Sequence, residues 1–316
     1  MVVNIITGVA GFVGFNIAET ILKQGKLVIG IDQVNDYYDP KLKEANVDRL
    51  QQYSGFKFIR DSIQNLDWLE LLRDVDVLYH QAAQAGVRAS WGKGFQDYTE
   101  RNINATQILL EAAKQTNSLK RFVYASSSSV YGDAVTMPTP ETLCPQPVSP
   151  YGITKLTAER LCFLYHKNFN VPVTALRYFT VYGPGQRPDM AFHKFLKAAL
   201  NKEAISIYGD GQQTRDFTFI SDIVAANLAA ASVPEAIGEV FNIGGGSRAV
   251  LKDVLATMEK VIGSPIRKEF IDRAKGDARH TSADISKAQA ILGYSPQISL
   301  EEGLAKEWEW IKQLYF

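Results

Sequence analysis

Short apolar, β-branched runs alternate with segments of helical periodicity through the first half of the chain. Residues 2–7, 27–31, 56–59, 75–79, 121–125 and 173–177 read as strands, and amphipathic stretches such as 12–24 and 103–114 read as helices between them. Runs that are apolar without alternation suit strands covered on both faces and joined by crossovers. The pattern predicts an α/β fold, a doubly wound parallel sheet.

After residue 179 the rhythm breaks. "VYGPGQRPDM" is rich in Gly and Pro and reads as loop; a helix at 191–201, a strand at 204–208 and the turn "GDGQQT" follow. A helix near 221–231 and a strand at 239–243 return to the large sheet, while helices near 251–262, 285–292 and 300–312 belong to something smaller. The expected division is 1–178 with about 214–247 in one unit, and about 179–213 with 248–316 in a smaller C-terminal α/β region. That region lies over the carboxyl ends of the strands, where ligands bind in open sheets of this type.

The first strand runs into "TGVAGFVG", with Gly8, Gly11 and Gly14 at three-residue spacing before a helix. A loop without side chains brings backbone N–H groups and a helix N-terminus against a pyrophosphate. Asp32 closes the second strand, placed to accept hydrogen bonds from an adenosine ribose and to repel a 2′-phosphate, which favours NAD over NADP. The fifth strand ends in "YASSSSVYG", and about twenty residues later "SPYGITK" sets Tyr151 four residues before Lys155 at a helix start. Tyrosine and lysine at that spacing are common on any helix face. Beside a nicotinamide they become an acid–base pair, because an ammonium and an oxidised ring both favour the phenolate of a group whose ordinary pKa is about 10.

Composition narrows the classes. With 316 residues, 46% of them apolar, the chain can bury a large core. Lys plus Arg and Asp plus Glu number 34 each, so no global field draws nucleic acid or an anionic membrane. Two cysteines, Cys144 and Cys162, and four histidines show no metal-ligand spacing, and no metal site is expected. No run approaches the length of a membrane span, and no leader pattern is visible; the expected location is the cytoplasm.

Taken in order, "GVAGFVG", "HQAA", "SSSSVYG", "YGITK", "RYFTVYGP", "RDFTFISDI", "FNIGGG" and "ADISKAQAILGY" resemble the extended short-chain dehydrogenase/reductase family, and within it the NAD-dependent nucleotide-sugar epimerases. The resemblance covers essentially the whole chain. It implies a Rossmann NAD-binding domain and a smaller nucleotide-sugar-binding domain, with NAD tightly bound and regenerated at each turnover. It casts Tyr151 as general base, Lys155 as its electrostatic partner and Ser127 as the hydroxyl bridging substrate and tyrosine. NAD contacts are implied for Gly8, Gly11, Phe12, Val13, Gly14, Asp32, Asn35, Ser62, Ile63, Ala82, Asn102, Tyr151, Lys155 and Tyr178; many relatives have Asp where Ser62 stands. A homodimer is implied, through the helices at 103–114 and 151–167.

For the substrate, Arg215 resembles the arginine that grips a nucleotide diphosphate, and Asp277 the carboxylate that holds ribose hydroxyls. Arg187 and Arg279 are further candidates at the nucleotide end, with Arg273 a position of open role. Relatives that dehydrate or decarboxylate the sugar carry acidic residues before "VYG", where this chain has Ser128 and Ser129, so simple oxidation and re-reduction at C4 is expected. "QAAQAGVRASW" with Arg88, "VNDYYDPKLKEANVDRL", and Thr180 where galactose epimerases have Asn resemble the UDP-glucuronate 4-epimerases. The expected reaction converts UDP-glucuronate to UDP-galacturonate, with Ser128, Ser129 and Thr180 around the sugar carboxylate. The alternatives are a UDP-glucose or N-acetylhexosamine 4-epimerase, a UDP-glucuronate decarboxylase, and an NAD-sensing protein without turnover.

Overall fold

The computed structural model describes residues 2–246, 248–272 and 276–316. Seven parallel strands form the large sheet: β1 (Val3–Thr7), β2 (Leu27–Ile31), β3 (Phe56–Ile59), β4 (Val77–His80), β5 (Arg121–Ser127), β6 (Val173–Tyr178) and, later in the chain, Val240–Ile243. The order across the sheet starts with Val240–Ile243 and continues β6, β5, β4, β1, β2, β3. The reversal beside β1 is the switch point at which such sheets open a crevice. The doubly wound expectation thus holds, and Val240–Ile243 joins the sheet as expected.

The remaining strands are β7 (Thr180–Tyr182), β8 (Ile205–Tyr208), β9 (Thr214–Phe219), β10 for the Val240–Ile243 strand already placed, β11 (Arg248–Val250) and β12 (Lys268–Ile271). β7, β9 and β11 make a three-stranded sheet, and β8 pairs with β12. Residues 214–219, grouped by the sequence reading with the large-sheet unit, therefore pair with the small one. Their pattern hides them: three of the four buried positions, Thr214, Asp216 and Thr218, are polar, with Phe219 the fourth. Asp216 is tolerated inside because it accepts N–H groups from Gly245 at 2.6 Å and Ala283 at 3.0 Å.

Two apolar clusters cover the two faces of the large sheet. One joins the helix Phe12–Lys23 and the helix Ile220–Ser232 to the C-terminal region; the other packs the helices Ala105–Ala113 and Pro150–Phe169. The helix Pro150–Phe169 has explicit ends. The Ser149 hydroxyl accepts from the Gly152 N–H at 3.1 Å, Pro150 sits in the first turn, and Asn170 closes the helix in the left-handed conformation. That cap fixes where Tyr151 and Lys155 begin.

Candidate active site

A cavity of about 1200 Å³ lies at the carboxyl ends of the strands, between the large sheet and the small region. Every residue expected from the sequence to bind or react borders it except Asn102, with Arg273 outside the described residues. The volume exceeds the usual range for a single small ligand and suits a dinucleotide with a second nucleotide.

The glycine loop shows why the chain has no side chains there. Gly8 stands at a φ of +71°, and a Cβ on it would lie 2.7 Å from the Ala82 nitrogen. A Cβ on Gly14 would lie 2.2 Å from the Gly8 carbonyl oxygen. The helix that follows starts at Gly11 with no side-chain cap, leaving its first N–H groups for an anion. Ala82 is held in turn, donating to the Thr7 hydroxyl at 3.2 Å, while Thr7 hydrogen-bonds the buried His80 ring at 2.8 Å.

Asp32 accepts from Ala10 and Val34 N–H groups at 3.1 and 2.8 Å, and burial pushes its carboxyl up from the ordinary range against those bonds. Lys43, missed in the sequence, donates to both the Asn35 carbonyl, at 2.8 Å, and the Asn35 side chain. Ser62 and Ile63 border the cavity beyond Asp32, beside Asp61, whose carboxylate accepts from the Ser62 N–H at 2.7 Å. Tyr178 is oriented by Gln81 and Asn227 at 3.2 and 2.8 Å. Asn102 acts behind the wall: its amide accepts from the Gln84 N–H and donates to the Gln84 carbonyl and Thr154 at 2.7, 3.0 and 2.9 Å. These bonds tie the loop after β4 to the helix Pro150–Phe169, so Asn102 shapes the cofactor pocket without facing it. Together the open glycine cradle, the free helix start and the ribose-facing carboxylate fit NAD.

At the reacting end, Tyr151 receives a hydrogen bond from Ser127. Burial pushes its phenol up, opposed by that bond and by the Arg187 charge. Burial draws the Lys155 ammonium down to about 7, with Cys162 and Glu159 in opposition. Each charge is costly alone in this dry setting. Two glycines let the serine turn reach the tyrosine. A Cβ on Gly152 would meet the Ser129 carbonyl at 2.5 Å, and one on Gly132 the Gln146 carbonyl at 2.0 Å.

The arginines differ from expectation in their neighbours. Arg187, assigned by sequence to the nucleotide end, forms a partly buried fork with Asp189, two bonds of 2.9 Å, and its charge bears on Tyr37 and Tyr151. Its charge thus reaches the end of the cavity that holds Tyr151. Arg88 and Asp277, expected separately, meet each other at 2.7 Å, with the Arg88 guanidinium 3.8 Å from the Tyr208 ring centre. Arg215 donates to the carbonyls of Thr214 and Arg279 at 2.9 and 3.0 Å, and Arg279 pairs with Asp210 at 2.8 Å. Loop and strand ends from distant parts of the chain meet here, which spacing along the sequence does not reveal.

Comparisons with known proteins agree with this geometry. A family model described as the NAD dependent epimerase/dehydratase family matches residues 4–244. The chain is 45% identical over 315 residues to the uncharacterized UDP-glucose epimerase YtcB of Bacillus subtilis, covering 98% of each protein. It is 38% identical over 313 residues to a UDP-glucuronate 4-epimerase of Thermodesulfobacterium geofontis, covering 98% of this chain and 96% of the other. Among solved structures, the UDP-glucuronic acid 4-epimerase of Bacillus cereus in complex with UDP-glucuronic acid and NAD superposes with a TM-score of 0.96 at 48% identity, over 99% of this chain and all of that one.

Proposed function

This chain belongs to the NAD dependent epimerase/dehydratase family, and on that premise we propose that it interconverts UDP-glucuronate and UDP-galacturonate by epimerisation at C4. One observation carries the choice of sugar. Tyr151 and Lys155 share their end of the cavity with hydroxyls and the partly buried cation of Arg187, and the carboxylates of an eliminating enzyme are replaced by Ser128 and Ser129. Ser128 and Ser129 follow Ser127 directly, and Thr180 lies two residues beyond Tyr178, the backbone partner of Ser127 in the sheet. A uronate carboxylate finds donors there and charge complementarity in Arg187.

In this reading Tyr151, as phenolate, takes the proton of the C4 hydroxyl, with Ser127 bridging the two oxygens. Lys155 holds the phenolate by charge. The Gly8–Gly14 loop and Asp32 would hold NAD, which would supply the acceptor for the C4 hydride and its return. Between the two transfers the flat 4-keto sugar turns to present its other face, and Tyr151 gives the proton back. The intermediate is a β-keto acid, which loses carbon dioxide most readily when the breaking C–C bond stands perpendicular to the ketone plane. Ser128, Ser129 and Thr180 hold the carboxylate away from that orientation.

Incubation with a panel of UDP-sugars, followed by mass and stereochemical analysis of the products, tests the proposal. UDP-glucuronate is expected to give an isomer of equal mass; turnover confined to UDP-glucose would favour the activity named for the Bacillus subtilis relative, and loss of 44 mass units would mark a decarboxylase. Thr180→Ala is expected to divert product toward a UDP-pentose by about tenfold, a loss of about 1.4 kcal/mol of positioning. An unchanged product ratio in Thr180→Ala and Ser128→Ala would remove the role assigned to these hydroxyls.

We further place NAD on residues 1–178 with the returning β10 segment, and the nucleotide sugar on the small sheets and C-terminal helices. Among the described residues no helix is long and apolar enough to cross a membrane; the enzyme is assigned to the cytoplasm, a location that cell fractionation tests. A homodimer is supported by the outer face of the helix Pro150–Phe169, where Ile153, Leu164 and Phe169 are exposed. Sedimentation equilibrium is expected to give twice the chain mass, and an Ile153→Asp, Leu164→Asp variant the single mass.

A further inference from the structure

Beneath the reacting residues lies a buried ion pair that the mechanism above does not use. Glu159 continues the inner face of the catalytic helix, two turns beyond Tyr151 and one beyond Lys155. Its carboxylate takes a fork from Arg177 on β6, with bonds of 2.6 and 3.0 Å, and both side chains are almost completely inaccessible. Three further bonds leave the pair, one of them from Arg177 to the Glu141 carbonyl at 3.3 Å. The Ser126 hydroxyl donates to Glu159 at 2.6 Å, and Arg177 donates to the Tyr131 hydroxyl at 2.6 Å. Tyr131 donates to Asn242 on β10 at 2.7 Å, and Asn242 donates to the carbonyls of Thr139 and Asp284 at 2.8 and 3.2 Å.

The placement along the chain gives these bonds a purpose. Ser127, Ser128 and Ser129 lie between Ser126 and Tyr131, so the turn that presents the three hydroxyls is anchored at both ends to one ion pair. The same pair is rooted in the helix that carries Tyr151 and Lys155. An isolated buried ion pair seldom adds stability over apolar side chains of the same size, because desolvation offsets attraction. A pair that holds two reacting segments in register has a different return, since catalytic geometry tolerates little displacement.

We propose that Glu159 and Arg177 are positioning residues of the epimerase: through Ser126 and Tyr131 they set the Ser127–Ser129 turn against Tyr151 and Lys155, and Glu159 supplies the carboxylate that keeps Lys155 cationic. This deepens the function proposed above and rests on it. Lys155 is faced by Tyr151, Glu159 and Cys162 from its own helix, by the Tyr124 ring of β5 at 4.4 Å and by His80 of β4. Of these, Glu159 is the one carboxylate. Arg177 balances its charge from β6.

The test uses the full-length enzyme with its bound NAD, on whichever UDP-sugar the wild type turns over, so wild-type inactivity on UDP-glucuronate counts against the proposed substrate alone. Ser126→Ala and Tyr131→Phe each remove one anchor and leave the ion pair in place. Both are expected to keep wild-type NAD content and thermal midpoint within a few degrees, to lower kcat about tenfold or more with KM little changed and, on a uronate, to raise the fraction of decarboxylated product. Glu159→Gln leaves the Arg177 charge uncompensated near Lys155. Its alkaline limb of kcat is expected about one pH unit lower, because the ammonium is lost sooner. Should Glu159→Gln fail to fold, the two anchor variants still decide. Wild-type kcat and product ratio in Ser126→Ala and Tyr131→Phe would overturn the positioning role, and an unmoved alkaline limb in a folded Glu159→Gln would overturn the electrostatic one.

Discussion

Replacing Tyr151 by Phe is expected to lower kcat by about 10³-fold, within the usual range for loss of a general base, while bound NAD is retained. The ring stays, along with its edge-on contact to Tyr98 at 6.2 Å between centroids, so packing is preserved. Only the proton acceptor goes. Turnover within tenfold of wild type would show that another group takes the C4 proton. The companion variant Lys155→Met separates charge from chemistry. The proposed mechanism needs Tyr151 deprotonated and Lys155 protonated, so wild-type kcat/KM is expected to rise with pH through the tyrosine and fall through the lysine. Burial alone pushes the phenol up, and removing the ammonium withdraws the charge that favours phenolate. In Lys155→Met the rising limb is therefore expected at higher pH, and the part of the falling limb due to lysine disappears. A pH–rate profile of the two proteins reads this directly; a rising limb that does not move would sink the electrostatic role.

Gly14→Ala is expected to carry the second large effect, on cofactor retention. The added Cβ would stand 2.2 Å from the Gly8 carbonyl oxygen and 2.9 Å from its carbon, and neither atom is the end of a flexible side chain. The loop or the helix must shift. Overpacking of about 1–3 kcal/mol falls on the segment whose N–H groups receive the pyrophosphate, so NAD affinity should drop about tenfold or more. Gly25 supplies the control. It has a similar positive φ, +72°, but nothing within 4 Å of a Cβ, so Gly25→Asn, a residue that tolerates the left-handed region, is expected to keep NAD at wild-type levels. Release of NAD on denaturation, quantified per chain, separates the two. Equal NAD content in Gly14→Ala and wild type would contradict the close-contact account.

The large sheet was legible because its strands are apolar on both faces, a pattern that residues such as Ile5, Ile6, Leu78 and Val123 state plainly. The small sheets were not. β9 buries Thr214, Asp216 and Thr218, and the place of Thr214 and Asp216 inside depends on partners brought from elsewhere, Arg248 and His280 for the hydroxyl and the N–H groups of Gly245 and Ala283 for the carboxylate. A similar limit applies at the site. Tyr151 and Lys155 announce themselves by spacing on one helix, whereas the neighbours of Arg187 and the pairing of Arg88 with Asp277 come from loops that meet only on folding. Glu159 and Arg177 did leave a trace, a charge inside the apolar helix face "AERLCF" and another in the strand "VTALRYF". Their meaning required the partner.

By itself the sequence determined the doubly wound sheet, and it singled out the glycine loop, Asp32, Ser127, Tyr151 and Lys155, which the fold gathers around one cavity, because each is written in local periodicity or short spacing. The tertiary structure alone decided that the Arg187 charge bears on Tyr151, that Asn102 works from behind the pocket wall, and that one buried ion pair anchors both ends of the serine turn. These depend on contacts between distant residues, as from Asn102 to Thr154 across 52 positions, and a charged side chain acquires its role only when folding removes it from water and chooses its partner.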